Sequence, residues 1–360
     1  MNLEIPKTSV FLDLKEHLYF DDDQNRTYIL PNPEVMETDS TSKFVNYIHG
    51  IDDVRIFRRN DKGILKIKDH ALYKLFKNIQ TIRNLNKTYE CLEVQIFLNA
   101  FDTVMPKHLK YDDHELWKRH YSESIQITKT SRKSVALLLN DLCEEIKFLT
   151  SQKEYKQQVQ NRKDKSKNQY QRSLSLINEL FITYSKLLIM RIDFAFKAAS
   201  QVDIEEMKEY MSKFLKYLLT RKGELQDILG YIWKLEFGVQ KGYHYHCMFF
   251  MDGNKYANDS YYAQKLGELW QHITQGHGIY HNCNASKFKY RKLAIGCISH
   301  DDEQARETLN LVLKYIAKVD QFLIEKTLIK YHTFGRSSRK QQKSPRGRKR
   351  LTSSEKNQRK

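Results

Sequence analysis

Two histidines separated by one residue, His244 and His246, are the first feature of the sequence with metal-binding chemistry. They lie in the run 243–251 (YHYHCMFFM), whose apolar character predicts a β-strand. Side chains two positions apart project from the same face of a strand, so both imidazoles can reach one metal ion. The pattern alone is weak support, because pairs like this are more often structural than metal-binding.

A third ligand is predicted on the preceding strand. The run 228–237 (ILGYIWKLEF) is also apolar, and the glycine-bounded loop 238–242 predicts a hairpin between the two runs. If the loop is centred on Gln240, Glu236 faces His244 directly, with Cβ atoms about 5 Å apart. Two imidazoles and one carboxylate then form an open site for a divalent ion such as Mn²⁺ or Mg²⁺. The alternative is a structural Glu–His hydrogen bond at a sheet edge, and a one-residue slip would remove Glu236 from the site.

A candidate nucleophile lies in the helix predicted from Asp301 to about Lys326. Its apolar residues form one stripe at positions 305, 309, 312, 316, 319 and 323. Tyr315 lies about 80° from the centre of that stripe, and Lys318 follows on the same side. A phenol beside a cation is suited to attack a phosphodiester, because the cation favours phenolate or holds a phosphate oxygen. A tyrosine at such a boundary is more often a packing residue, and Tyr-x-x-Lys recurs at 210–213, 231–234 and 262–265.

The elements that must position these residues fall in the second half of the chain. The segment 174–335 is predicted as one domain, with the order strand, helix, strand, strand, helix, strand, helix. It is preceded by a mostly helical N-terminal region, 1–152, of unassigned role, and by 153–173, a basic linker or solvated helix. We therefore predict an α+β fold with an antiparallel or mixed sheet and helices over it in the C-terminal half.

The charge of the chain points to a polyanionic partner, most simply nucleic acid. The 360 residues carry a net charge of +17, and the predicted disordered tail, 336–360, contains eleven Lys or Arg against one Glu. We expect this tail to bind phosphates in a salt-sensitive, sequence-independent manner. Its candidate contacts are Arg336, Arg339, Lys340, Arg346, Arg348, Lys349 and Arg350.

Other features exclude whole classes of protein. No apolar run approaches the ~20 residues that cross a bilayer, and the N-terminus lacks the pattern of a signal peptide. Five scattered cysteines favour reduced thiols over a disulfide framework. The sequence thus predicts a cytoplasmic protein without a membrane partner.

Four segments together resemble a known family. They are GYHYHCMFFMDG (242–253), LGELWQHITQGHGIYHNCN (266–284), LVLKYIAKVDQ (311–321) and HTFGRS (332–337). The set is similar to the inovirus gene II type replication proteins, also called the YagK/YfjJ C-terminal domain, within the HUH endonuclease superfamily. The resemblance covers about 174–337, and the first 150 residues match no family that we can name.

The resemblance implies a role for each candidate residue. His244 and His246 would be the metal-binding pair, with Glu236 as the acidic ligand and an HUH-type sheet as their support. Tyr315 would be the single nucleophilic tyrosine and Lys318 its helper, since Val319 excludes a paired tyrosine on this helix. Asp193, in the predicted strand 185–197, matches an acidic position of the family and would be a fourth ligand or a partner of one.

The implied function is metal-dependent nicking and joining of single-stranded or origin DNA through a covalent 5′-phosphotyrosine. The protein would be a phage or prophage rolling-circle replication initiator in the cytoplasm of a bacterial host cell. Host replication proteins are further candidate partners, and no small-molecule cofactor is implied. The first alternative is a catalytically inactive prophage DNA-binding protein with the same fold.

Two further alternatives come from the residues themselves. A structural zinc site is one, although the spacing of its candidate ligands fits no standard finger. Those candidates are His277, His281, Cys283 and Cys297. The other is an RNA-binding sheet on which bases stack, since Tyr243, Tyr245 and Phe249 share the strand face opposite His244. These aromatic residues would more often be core under a helix.

Overall fold

The computed structural model of the chain describes most of both halves. The described residues are 16–21, 26–31, 33–79, 85, 87–105, 119–197, 200, 202–220, 222–238, 242–287, 294–318 and 324–338. Within them the protein contains eight α-helices and a six-stranded antiparallel sheet. The predicted α+β fold, with the sheet in the C-terminal half and helices in the N-terminal region, is confirmed.

The N-terminal half is built on four helices and short strand pairs. The helices are α1 (Pro33–Gly50), α2 (His70–Lys77), α3 (Leu92–Val104) and α4 (Val135–Ser151). The strands are β1 (Glu16–Asp21), β2 (Arg26–Pro31), β3 (Phe57–Arg59), β4 (Leu65–Ile67), β5 (Tyr89–Glu90), β6 (Ser124–Gln126) and β7 (Arg132–Ser134). Phe44, Phe76 and Phe97 are buried together at the centre of this half, so it has a core of its own.

A single helix, α5 (Lys153–Thr183), connects the two halves. The segment 153–173, for which a linker and a solvated helix were both open, is helical throughout. Tyr155 is buried in the N-terminal core, whereas Leu176 and Leu180 are buried against the sheet. The helix therefore belongs to both cores. Although α5 is 31 residues long, neither it nor any other helix in the described ranges is apolar enough to traverse a membrane.

The C-terminal half contains the six-stranded sheet. Its elements are β8 (Lys186–Phe196), α6 (Ile204–Leu219), β9 (Gly230–Gly238), β10 (Gly242–Asp252), α7 (Asp259–Ile273), β11 (Gly278–Asn282), β12 (Gly296–Ser299), α8 (Glu303–Lys318), β13 (Ile324–Glu325) and β14 (Phe334–Arg336). The strands of the sheet follow the order β11-β8-β10-β9-β14, and β12 also pairs with β8. All of these pairs are antiparallel.

Each face of the sheet is covered by a different pair of helices. On one face, Tyr245 and Phe249 are buried with residues of α6 and α7, including Phe214 and Trp270. On the other face, Met248 is buried with residues of α5 and α8. Because side chains alternate along β10, the two histidines at 244 and 246 share the face of Met248. The candidate site therefore lies on the side of the sheet that carries α8.

The prediction that α8 continues to Lys326 is wrong. The helix ends at Lys318, and Ile324–Glu325 forms the short strand β13, which pairs with β5 of the N-terminal half. The backbone N–H of Lys326 also donates to the Thr88 carbonyl at 3.1 Å. Long-range pairing therefore outweighs the helical pattern of the sequence. On the buried face of α8, the predicted Leu309 and Ile316 are buried and the predicted Ala305 and Val312 pack partly buried against the same core. Leu313, which was not predicted, is buried with them, and the predicted positions 319 and 323 lie outside the described residues.

The assignment of residue 336 to a disordered tail is also wrong. Arg336 is the last residue of β14, where it pairs with Ile232 of β9. Its side chain is half-buried and its Nη1 donates to the Ser337 carbonyl at 3.3 Å. Arg336 therefore belongs to the sheet, and it is not one of the mobile phosphate contacts predicted for the tail. The remaining tail candidates, from Arg339 to Arg350, lie outside the described residues.

Gly335 allows β14 to pack closely on Trp233. A Cβ atom at this position would lie 2.4 Å from the indole ring. We expect Gly335→Ala to lower the free energy of unfolding by about 1–3 kcal/mol, as overpacking does elsewhere. Urea denaturation followed by tryptophan fluorescence measures the change. Gly50→Ala, where an added Cβ meets nothing within 4 Å, is the control and should be neutral within about 0.5 kcal/mol.

Candidate metal centre

The hairpin between β9 and β10 has the register predicted from the sequence. Glu236 pairs with His244, and Gly238 pairs with Gly242. The pairing is fixed on both sides of β10, since His246 also pairs with Asp193 of β8. Three neighbouring strands therefore bring the candidate ligands and the acidic residue of the first strand to one patch of the sheet.

Glu236, His244 and His246 form a group that could hold a metal ion. One ligand atom from each residue lies within 4.8 Å of the others. The His244 residue is 9% exposed, and the Glu236 and His246 side chains are 17% and 21% exposed, so the group is largely buried but open to solvent. Within the described parts of the chain, this is the only such group of three His, Cys, Asp or Glu residues.

The hydrogen bonds of the two histidines suit a metal site. The Nδ1 of His244 lies 3.1 Å from the Gly242 carbonyl, which can only accept, so Nδ1 carries the proton. The Nδ1 of His246 lies 2.7 Å from Asp193 Oδ1, which orients that ring in the same way. In both neutral rings Nε2 is then the unprotonated nitrogen, and Nε2 of His246 lies 3.4 Å from Glu236 Oε2. Such outer partners fix the tautomer of metal-binding histidines in known sites.

Asp193 is therefore placed as the partner of a ligand rather than as a fourth ligand. Its carboxylate contacts His246 on the side away from Glu236, and Arg191 Nε lies 3.9 Å from the same oxygen. The sequence left open whether Asp193 is a fourth ligand or a partner of a ligand, and the geometry favours the partner of His246.

The two histidines differ in their electrostatics. Burial lowers the pKa of His244 to about 4, with the neighbouring His246 charge adding to the effect. Burial alone would also lower the pKa of His246, but Asp193 and Glu236 outweigh it and raise the pKa to about 10. Burial is the largest influence on both carboxyl groups and would raise their pKa values. The charge and hydrogen bond of His246, together with the other nearby cations, outweigh it, so the pKa values of Asp193 and Glu236 are lowered. Without an ion, the His246 ring is therefore protonated and lies between the carboxylates of Asp193 and Glu236.

Lys234 belongs to the site, although its sequence pattern did not mark it as a site residue. It is fully buried, and it pairs with His246 across the sheet. Its charge helps to keep the pKa of Glu236 low, and its Nζ lies 3.4 Å from Thr333 Oγ1. The alternation of 232, 234 and 236 along β9 was the available signal, because it assigns Lys234 to the face of Glu236.

Tyr315 lies on the helix that covers the same face of the sheet. Leu309, Leu313 and Ile316 of α8 are buried with Ile232 and Met248 of β9 and β10, beside the metal-binding positions. The Tyr315 ring is half-buried and packs against the N-terminal core. Lys318 is the last residue of α8, and its side chain lies outside the described part of the structure.

The N-terminal half meets the sheet next to this site. Phe237, the neighbour of Glu236, packs against the N-terminal core, and its ring lies 6.4 Å from that of Tyr89. The Tyr89 hydroxyl donates to the Phe237 carbonyl at 3.3 Å. The end of β9 that carries Glu236 is therefore fixed by its pairing with β10 and by its contacts with the N-terminal half.

The two alternatives drawn from the residues do not fit the geometry. The four zinc candidates do not form a ligand group in the described structure, where Cys283 is buried and Cys297 is exposed. Tyr245 and Phe249 are buried under α6 and α7, and Tyr243 packs against the same core. These rings are core, as their alternation along the strand suggested, and the face offers no platform on which bases could stack.

The fold and the site together define an α+β domain with an open His-His-Glu centre on one face of its sheet. Residues 149–337, more than half of the chain, match the family described as the YagK/YfjJ C-terminal domain, and the chain belongs to this family. The match includes α5 and ends after β14. Comparison with curated proteins gave no match, and comparison with solved structures gave none either.

The role of Asp193 is tested by Asp193→Asn. We expect Mn²⁺ affinity to fall by about 10- to 100-fold, because the amide no longer provides the negative charge that orients and polarises His246. Isothermal titration with Mn²⁺ measures the change. Glu209→Gln, which removes an exposed carboxylate paired with Lys213, should leave the affinity unchanged. An equal effect of both substitutions would contradict the assignment.

Metal binding should release close to one proton. Because the pKa of His246 is about 10 in the metal-free protein, an ion must displace its proton at neutral pH. His244, with a pKa of about 4, is already neutral there. We expect the apparent association constant for Mn²⁺ to rise about tenfold per pH unit between about pH 6 and 9. Titrations in buffers of different ionisation enthalpy count the proton, and a pH-independent constant would rule out displacement from His246.

Proposed function

We propose that the protein is an HUH-type endonuclease of the inovirus gene II type that nicks and rejoins single-stranded DNA. The observation that carries the proposal is the His-His-Glu group, in which both rings are oriented by their Nδ1 atoms. Its position on the face covered by the Tyr315 helix adds support. A phage or prophage rolling-circle replication initiator is the biological role that fits this chemistry and the family.

The residues of the centre are suited to hold Mn²⁺ or Mg²⁺. Glu236, His244 and His246 leave further coordination positions open, as a catalytic site requires. A divalent ion held by these residues would act as a Lewis acid that polarises and orients the scissile phosphate. Asp193 keeps the His246 ring in place, and Lys234 stabilises the ionised form of Glu236.

Tyr315 is proposed as the nucleophile. Its phenolic oxygen gives its proton to water and forms a bond to phosphorus. The bond from phosphorus to the 3′ oxygen breaks, and that oxygen takes a proton from water and leaves as a 3′-hydroxyl. The products are a 5′-phosphotyrosine and a free 3′ end, and the reverse reaction rejoins the strand. The covalent bond retains the phosphodiester energy, so no nucleotide cofactor is required.

A second candidate function is DNA binding without catalysis. The packing of the Tyr315 ring against the N-terminal core favours it, because a nucleophile has to reach its phosphate. Both candidates predict binding of single-stranded DNA, and only the nuclease predicts a covalent protein–DNA adduct.

The nucleophile is tested by Tyr315→Phe. We expect the variant to lose nicking and the adduct on a denaturing gel with Mn²⁺ and single-stranded DNA, because the attacking oxygen is gone. Binding should stay within about twofold of the wild type, since one hydroxyl is removed. Tyr262→Phe is the matched control, because this tyrosine has the same Tyr-x-x-Lys spacing but packs on the opposite face of the sheet.

Three outcomes separate the candidates. An adduct that persists in Tyr315→Phe and disappears in Tyr262→Phe would reassign the nucleophile. Binding by the wild type without any adduct would support the non-catalytic function. Full cleavage in EDTA by a His244→Ala, His246→Ala double variant would overturn the metal centre.

A further inference from the structure

A polar cleft lies between α5 and the segment that leads into β14. Its volume of about 450 Å³ is within the range of roughly 300–1,000 Å³ that is usual for ligand sites. One wall is formed by α5 residues at positions 161, 164, 165, 168, 169 and 172, and the other by 331–334. The α5 positions recur every three or four residues, so they form one stripe of the helix.

This stripe is polar, and five of its six residues are exposed, so it forms a solvent-accessible wall of the cleft. It consists of amides, two cations and one carboxylate: Asn161, Asp164, Lys165, Asn168, Gln169 and Arg172. Gln169 is only 5% exposed, and its Oε1 has no hydrogen-bond partner within the described part of the chain. Buried amide oxygens are almost always satisfied, so this one indicates a ligand that donates a hydrogen bond.

The charged groups of the cleft suit an anion. The guanidinium carbon of Arg172 lies 5.8 Å from the centre of the Phe334 ring, so the ring holds the cation at the cleft wall. Lys165 provides a second positive charge. The carboxylate of Asp164 accepts a hydrogen bond from Gln160 at 3.0 Å, within the helix. Arginine is the side chain best matched to phosphate oxygens.

The cleft is also adjacent to the metal centre. Thr333, which lines it, has its hydroxyl 3.4 Å from the buried Nζ of Lys234. Phe334 pairs with Lys234, and Lys234 pairs with His246, so all three lie in one row across β14, β9 and β10. With about 4.8 Å between strands, Phe334 is about 10 Å from His246 along this row. A short stretch of a nucleic-acid strand can therefore contact both places.

We propose that this cleft binds a nucleotide of the single-stranded DNA that flanks the scissile phosphate. Gln169 receives a hydrogen bond from an N–H group of the base, and Arg172 and Lys165 bind a phosphate. The half-buried ring of Tyr331, which lines the cleft, offers apolar surface to the base. The inference rests on the proposed nuclease function, because the adjacency to the metal centre is what assigns the cleft to the DNA strand.

The test compares two double variants on the same helix. Gln169→Leu with Arg172→Gln alters the cleft, and Gln171→Leu with Lys167→Gln makes the same changes at exposed positions off the stripe. Binding of a fluorescein-labelled oligodeoxythymidine of about 15 nucleotides is followed by anisotropy in EDTA, so that nicking plays no part. We expect the Kd to rise at least about tenfold for the cleft variant and less than about twofold for the control. If thermal melting shows that the Gln169→Leu, Arg172→Gln variant does not fold, the single variant Arg172→Gln replaces it in the comparison.

Equal binding by the two double variants would overturn the inference. Free deoxythymidine monophosphate should displace the labelled probe only at a far higher nucleotide concentration than unlabelled oligodeoxythymidine does. Equal potency of the two competitors would overturn the assignment of the cleft to a DNA strand. A nicking assay on the same proteins separates the two proposals. If the wild type forms no adduct but the cleft variant loses binding, the nuclease proposal fails and the cleft stands. If the cleft variant binds and nicks like the wild type, only the cleft proposal fails.

Discussion

The contact of His246 with two carboxylates is the interaction on which the site depends. Asp193 and Glu236 lie on the strands to either side of His246, at 2.7 and 3.4 Å from its two ring nitrogens. Each distance requires the correct register of one strand pair, since a one-residue slip moves the side chain to the other face. The order β8-β10-β9 is thus as essential to the site as the residues themselves.

The buried aromatic face explains how that register is kept. Phe194, Phe214, Phe249 and Trp270 pack against one another below β8 and β10, with ring centres 4.9–6.4 Å apart. Such a core tolerates little shift of either strand, because every side chain has a fixed partner. One face of the sheet is therefore packed with aromatic rings, and the polar and charged residues lie on the other face, beside its own apolar core. Lys234, His246 and Asp193 form a continuous polar row there.

Much of the candidate metal centre follows from local sequence, whereas its surroundings do not. The pairing of Glu236 with His244 could be predicted because a short loop fixes the register of a hairpin. The contact of Asp193 with His246 depends on β8, about 50 residues away, and only a family resemblance singled Asp193 out. The end of α8 was missed since β13 is stabilised by pairing with distant β5. The polar composition of 153–173 left a linker and a solvated helix open, and the segment is helical with most of its residues exposed. Composition could not single out Gln169 as buried, because its burial depends on the distant segment that leads into β14.

The pairing of β13 with β5 bears on where the folding unit of this protein ends. The family match starts at residue 149 and therefore contains β13 and Tyr315 but not the strand and core on which they rest. A fragment cut at that boundary would lose the partner of β13 and would expose Phe237 and the Tyr315 ring to water. The segment that matches the family is thus not a unit that is structurally complete by itself. In this chain the N-terminal half completes the domain that carries the candidate metal ligands.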